Sequence, residues 1–161
     1  MKIALFVLAL VVALVVAAAQ FGMLSGRRPA DLGVKDGRLK PPSFTRNSVS
    51  SQADAHADHP QRGYANIEPL PSKRLNATDS LQVLERVLSG MPGITVIERR
   101  PEYLYAQAQT RWLKFVDDLE FWANPSTGVI ELRSASRLGR EDFGVNRQRI
   151  ESIRSAYLSA P

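Results

Sequence analysis

Phe115-Val116-Asp117-Asp118-Leu119-Glu120-Phe121-Trp122 is the stretch on which the fold turns. Strand side chains alternate between faces. Asp117 therefore shares a face with Phe115, Leu119 and Phe121, while Asp118 and Glu120 project to the other face with Val116 and Trp122. The next apolar stretch, residues 129–136, puts Ile130, Leu132, Ser134 and Ser136 on one face and Val129, Glu131, Arg133 and Ala135 on the other. Asn124-Pro125-Ser126-Thr127-Gly128 joins the two as a turn. Matching the apolar faces leaves two registers, with Glu120 opposite either Glu131 or Arg133. Like charges directly opposed repel, so the Arg133 register is expected. It sets Asp117 opposite Ser136 and Asp118 opposite Ala135.

Upstream of this pair, residues 94–98 and 103–109 read as two more strands turned by Pro101. Before them, Thr78, Asp79 or Ser80 caps a helix with Leu81, Leu84, Val87 and Leu88 on one face, and Gly90 is placed to close it at its C′ position. Downstream, a helix starts near Val145 with Ile150, Ile153 and Tyr157 in phase. Consecutive strands with short links pair antiparallel. The expectation is an α+β domain over residues 73–161, a four-stranded antiparallel meander flanked by an N-terminal and a C-terminal helix.

The first 72 residues are of another kind. Residues 3–19 are uninterruptedly apolar. With residues 20–24 they are long enough for a bilayer core of roughly 30 Å. Lys2 and Ala17-Ala18-Ala19 also suit a signal peptide cleaved near Ala19, but the run is longer than such peptides need. Residues 1–26 are therefore read as a membrane anchor or signal sequence, with the uncleaved anchor preferred. Residues 27–72, broken by Pro and Gly, read as an extended segment pinned to the domain by Leu32, Val34, Leu39, Phe44, Val49, Tyr64, Ile67 and Leu70. Residues 27–74 hold the chain's basic excess, nine Lys or Arg against five acids, whereas residues 75–161 balance eleven against eleven. A neutral folded module argues against nucleic acid as a partner. Arg27 and Arg28 beside the anchor suit anionic lipid head groups.

The absence of cysteine excludes disulfides, thiolate metal sites and thiol nucleophiles. His56 and His59 are the sole histidines, in a loop with Asp54 and Asp58 that nothing rigidifies, so neither a metal nor a cofactor is expected. Asp117 is the residue to follow, because an ionised carboxylate among Phe and Leu needs a cation or hydrogen-bond donors. Arg137, with Ser134 and Ser136 beside it, or backbone N–H groups of the loop after the last strand are the partners expected. Asp118 and Glu120 read as a solvated strand face paired with Arg133. The loop from Ser134 to Arg149 carries Arg137, Arg140, Asn146 and Arg147 around a helix start, groups that can hold an anion, with Asp142 as a competing cap.

The stretches 115–121, 130–139 and 142–151, with Gly37-Arg38-Leu39, Val49-Ser50-Ser51 and Ile67-Glu68-Pro69-Leu70, resemble the domain-of-unknown-function 1499 family of uncharacterised bacterial and plastid proteins. The resemblance spans roughly residues 31–158. It implies two cysteines ahead of the Val-Ser-Ser element, where this chain has Pro42 and Ser48. Their joint replacement implies a disulfide in the members that carry them, and so an oxidising compartment for the family. The resemblance implies no activity.

Two functions are expected from these readings. The first is a membrane-anchored envelope domain, in the bacterial inner membrane on the periplasmic side, that binds an unknown protein or small anionic molecule through Arg133, Arg137, Arg140, Asn146 and Arg147. The alternative is a hydrolase using Asp117 with Ser134, Ser136 and Arg137. The Lys/Arg count around the first helix favours a cytoplasmic domain, and the signal-like start favours export.

Overall fold

The structure is a computed structural model that describes every residue except Leu75. α1 (Lys2–Gln20) is followed by extended chain and a three-residue strand, β1 (Ser48–Ser50). A 3₁₀ turn (Ala53–Ala55) and the one-turn α2 (Arg62–Ala65) lead to α3 (Ala77–Gly90). The meander follows as β2 (Ile94–Arg100), β3 (Tyr103–Gln109), β4 (Val116–Ala123) and β5 (Ile130–Ser136), closed by α4 (Val145–Ser159).

The sheet has the order β1-β5-β4-β3-β2, all antiparallel. The expected meander is present, but the sheet has five strands rather than four. Ser48, Val49 and Ser50 pair with Ala135, Ser134 and Arg133 along the edge of β5. Three residues, two of them Ser, carry too little alternation to announce a strand. Between β4 and β5 the register is the one that keeps Glu120 away from Glu131. Glu120 faces Arg133, Asp117 faces Ser136, and Asp118 faces Ala135.

α3 and α4 cover one face of the sheet. Leu81, Leu84 and Leu88 from α3 and Ile150, Ile153 and Tyr157 from α4 pack on Leu119, Phe121, Ile130 and Leu132. α3 is capped by Asn76, not by Thr78, Asp79 or Ser80: the Asn76 Oδ1 accepts the Asp79 N–H at 2.8 Å. Its C-terminus also departs from expectation, because Gly90 stays inside the helix and Gly93 makes the turn at φ +76°. A Cβ at Gly93 would lie 2.9 Å from the Gln109 carbonyl, so both the conformation and the close approach demand glycine.

The other face of the sheet is the larger departure. It is not solvated. Residues 28–41 cross it as a strap, and Leu39 packs with Tyr103, Tyr105 and Trp122, with Leu32 and Val34 alongside. All eight residues of β4 are consequently buried, acids included. Paired Leu70–Ile130 backbone hydrogen bonds at 2.9 Å fasten the end of the extended segment to β5.

Among the described residues, only the last turn of α1 touches the rest of the fold. Ala19 is fully buried and the Gln20 Nε2 donates to the Trp112 carbonyl at 2.9 Å, while residues 2–15 project clear of the fold. The nineteen residues of α1 make a helix long and apolar enough to cross a membrane.

Candidate functional site

β4 presents carboxylates to both faces, and each face answers with its own guanidinium. On the helix side Asp117 lies beside Phe121 and Leu119, as its parity requires. Its cation is not Arg137 but Arg149 of α4, whose Nη2 reaches the Asp117 Oδ2 at 2.7 Å. Alternation explains the exchange. Arg137 continues the parity of Arg133 and Ala135, which places it on the strap side of the sheet. There its Nη2 meets the Asp118 Oδ1 at 2.8 Å and its Nε the Oδ2 at 3.0 Å, a two-pronged pair.

Around Asp117 the candidate residues converge on Asn146, which is completely buried. The Ser134 hydroxyl donates to the Asn146 Oδ1, and the Asn146 Nδ2 donates to the Ser136 Oγ at 2.9 Å and to the Asp142 Oδ2 at 2.8 Å. Arg149 also donates to the Asn146 Oδ1, at 3.1 Å. Asp142 caps α4, accepting the Gly144 and Asn146 N–H groups at 3.0 Å each, and the Tyr64 hydroxyl donates to it at 2.6 Å. Burial pushes the Asp142 carboxyl up, but the Tyr64 and Asn146 hydrogen bonds outweigh it and hold the group below its ordinary value. The same burial and carboxylate push the Tyr64 hydroxyl up to about 12.

On the strap side the Tyr105 hydroxyl donates to the Asp118 Oδ1 at 2.6 Å, and the Arg28 guanidinium stacks 4.1 Å over the Tyr105 ring. Burial draws the Arg137 guanidinium down in pKa, yet its bonds to Asp118 more than compensate and the net direction is up. Glu120 accepts the Gly33 N–H at 2.7 Å and the Tyr103 hydroxyl at 2.9 Å through Oε1. Its Oε2 accepts no hydrogen bond from the described residues and lies 3.5 Å from the Arg133 Nη1. Arg133 is itself buried, which pushes its pKa down, and its Nε donates to the Pro41 carbonyl at 3.2 Å.

The candidates thus fall into two networks and two residues that stand alone. Asp117, Ser134, Ser136 and Asn146 form one buried network beneath α4. Arg133 and Arg137 form a second with Glu120 and Asp118 beneath the strap. Arg147 is spent on carbonyls, donating to Tyr64 at 2.5 Å and Asn66 at 2.8 Å. Arg140 stands apart, exposed on its loop and in no ion pair among the described residues. With the Ser134 hydroxyl donating to Asn146, the Ser136 oxygen accepting from it and Asp117 paired with Arg149, the described residues leave no free nucleophile–base pair here. The arrangement is built to hold α4, β5 and residue 47 together.

Three participants lay outside the sequence reading of this site. Arg149 had a legible signal, since it follows Asn146 by one turn of α4. Asn47, which donates to the Gly139 carbonyl at 2.7 Å, had none, and Tyr64, expected to pin the extended segment, had none that linked it to Asp142. Among the described residues no group of three His, Asp or Glu is placed to hold a metal ion. A cleft of about 440 Å³ within the strap itself is lined by Lys35, Arg38, Lys40 and His56 with Asp31 and Asp36, and by none of the candidate residues.

Ser48 occupies one of the two positions at which the family resemblance implies cysteine. Its hydroxyl accepts the Ser43 N–H at 2.8 Å, which brings the 42–43 link beside residue 48. No curated protein and no solved structure matches the chain. Residues 38–157 match the family described as protein of unknown function (DUF1499), three-quarters of the sequence and every strand of the sheet, and the chain belongs to that family.

Proposed function

We propose that this protein is a membrane-anchored envelope domain, held in the bacterial inner membrane with its folded part on the periplasmic side, that binds an anionic partner where the Arg-rich loop emerges. The observation that carries the reading is α1. Its apolar length matches a bilayer core, and residues 2–15 find no protein to cover them. An apolar helix left that bare in water exposes far more hydrocarbon than a soluble domain tolerates. Binding rather than catalysis is supported by the use already made of the reactive groups: Asp117, Ser134 and Ser136 are engaged inside the fold, whereas Arg140 faces outward. The periplasmic side is supported by the oxidising compartment that the family's cysteine pair implies.

Two measurements on the full chain in cells test this. A reporter enzyme active only outside the cytoplasm, fused after Pro161, is expected to be active and to stay in the membrane fraction after alkaline carbonate extraction. An inactive reporter or a soluble product would overturn the anchored, exported arrangement. A photo-crosslinking amino acid at position 140 is expected to give adducts that the same group at Ser126, on the opposite end of the sheet, does not. Equal labelling at both positions would remove the loop from the contact.

A further inference from the structure

The topology brings separate loops to one end of the sheet. β3 ends and β4 begins there, linked by residues 110–115, and the antiparallel pairing of Asp117 with Ser136 puts the exit of β5 beside them. The Arg137 N–H donates to the Val116 carbonyl at 3.2 Å, which ties the two loops together. α1 leaves from the same end. Gln20 bonds the Trp112 carbonyl, and a Cβ on Gly26 would stand 2.8 Å from the Arg137 Cβ.

Exposed large apolar side chains gather at this end, whereas the remaining folded surface shows Phe44, Ile97 and Leu158 among the described residues. Trp112 is 66% exposed and Phe143 90% exposed, with Leu138 and Val145 also open and Phe21 and Met23 beside them at the foot of α1. Arg111, Lys114 and Arg140 are interleaved with them, the Arg111 guanidinium lying 5.1 Å from the Trp112 ring centre. The turns at the opposite end, residues 101–102 and 124–128, present no large exposed apolar side chain among the described residues. Phe143 also adopts φ +53°, a backbone conformation unfavourable for a bulky residue. That backbone belongs to the turn by which Asp142 caps α4, but the phenyl ring it carries is held out in solvent and adds no burial to the fold.

Aromatic rings alternating with Arg and Lys are the chemistry of a membrane interface, where rings sit at the headgroup level and cations meet anionic lipid. We infer that this end of the sheet rests on the bilayer that α1 enters, with Trp112, Leu138 and Phe143 inserted at the headgroup boundary and Arg111, Lys114 and Arg140 against anionic headgroups. The inference rests on the anchored reading above and names its anionic partner as the lipid of the same membrane. The domain then lies against the membrane and does not swing on a stalk.

The test uses the full chain reconstituted in vesicles of phosphatidylcholine with phosphatidylglycerol, and lipids brominated along the acyl chain as quenchers. The protein has two tryptophans, and Trp122 is buried near the far end of β4, about 20 Å along the strand from Val116. In Trp122→Phe the remaining Trp112 is expected to be quenched roughly twofold or more, and in Trp112→Phe the remaining Trp122 is expected to be unaffected. Replacing Arg111, Lys114 and Arg140 together by Gln, all on exposed or half-exposed loop positions, is expected to abolish the dependence on phosphatidylglycerol. Free inorganic phosphate is expected not to compete. Trp112 quenched no more than Trp122, in protein that resists carbonate extraction, would overturn the inference and leave the anchor standing. Protein released by carbonate would instead remove the anchor. Competition by phosphate, or quenching indifferent to lipid charge, would replace the anionic surface with a different ligand.

Discussion

The two faces of β4 solve one problem in two ways. Asp117 meets Arg149 at 2.7 Å beneath α4, and Asp118 meets Arg137 at 2.8 Å beneath the strap. The chemistry is the same. The covers differ. Above Asp117 lies the main apolar core, with α3 and α4 packed on the sheet. Above Asp118 lies irregular chain with one fully buried apolar anchor, Leu39, the Gly33 N–H donated to Glu120, the Pro41 carbonyl accepting from Arg133 and the Arg28 guanidinium over the Tyr105 ring. A cover made of core residues cannot leave without unfolding the domain, whereas a strap held by a few side chains can open locally. The comparison therefore predicts that equivalent lesions on the two faces differ in kind as well as size.

The largest effect belongs to the helix face. Arg149→Ala strands a buried carboxylate and removes a donor to Asn146, so it is expected to cost about 3–5 kcal/mol. The loss should be global, read as a lower urea midpoint at unchanged slope. Asp117→Ala should cost a similar amount, and the double variant clearly less than the two together. A cost below about 1 kcal/mol for Arg149→Ala would place the organising role of α4 elsewhere.

Arg137→Ala is the matching lesion under the strap. Asp118 retains the Tyr105 hydroxyl as a donor, and water can reach it if the strap lifts, so about 2 kcal/mol is expected. Amide hydrogen exchange gives the sharper readout. Residues 31–41 should lose protection while β3 and β4 keep theirs. Uniform loss across the sheet would mean that the strap is as integral as the helices and would erase the distinction.

The contrast between the faces also marks how far the sequence could be read. β3 has the same limits, Tyr103–Gln109, in both readings, and the β4–β5 register followed from one electrostatic choice between Arg133 and Glu131. Parity placed Asp117 toward the core correctly. Parity is silent, however, on what covers the opposite face, so Asp118 and Glu120 were read as solvated although both are buried. The strap's contacts span some 90 residues, as between Gly33 and Glu120, and leave no local period. Arg137 was assigned to the wrong acid because sequence proximity was weighed above its own alternation with Arg133. Ser48–Ser50 is too short a strand for any periodic signal.

A smaller lesion separates the faces by pH. Asp142 belongs to the helix side, and its carboxyl is held below the ordinary value. A lowered acid contributes stability that is present above the unfolded pKa of about 3.9 and disappears as pH falls through the folded value. Asp142→Asn should therefore cost about 1–2 kcal/mol at neutral pH. That difference from the parent should vanish in strong acid. Tyr64 has the opposite sign. With its hydroxyl pushed up to about 12, its contribution is whole below the unfolded value and is lost as pH rises toward the folded one. Tyr64→Phe should accordingly flatten the alkaline limb of the stability profile.

The smallest effect probes the strap backbone alone. Gly33 sits at φ +105°, with nothing within 4 Å of where a Cβ would stand, and gives its N–H to Glu120. Alanine there meets no neighbour, so its cost is confined to a backbone conformation that L-residues avoid, about 1 kcal/mol. If the strap moves as its own unit, that strain will appear as faster exchange across residues 31–41 and a weaker Gly33–Glu120 bond, with the global unfolding midpoint almost unmoved. If the midpoint falls by the full amount instead, the strap and the sheet unfold together. The Glu120–Arg133 pair beneath it would then be part of the same cooperative core as Asp117 and Arg149.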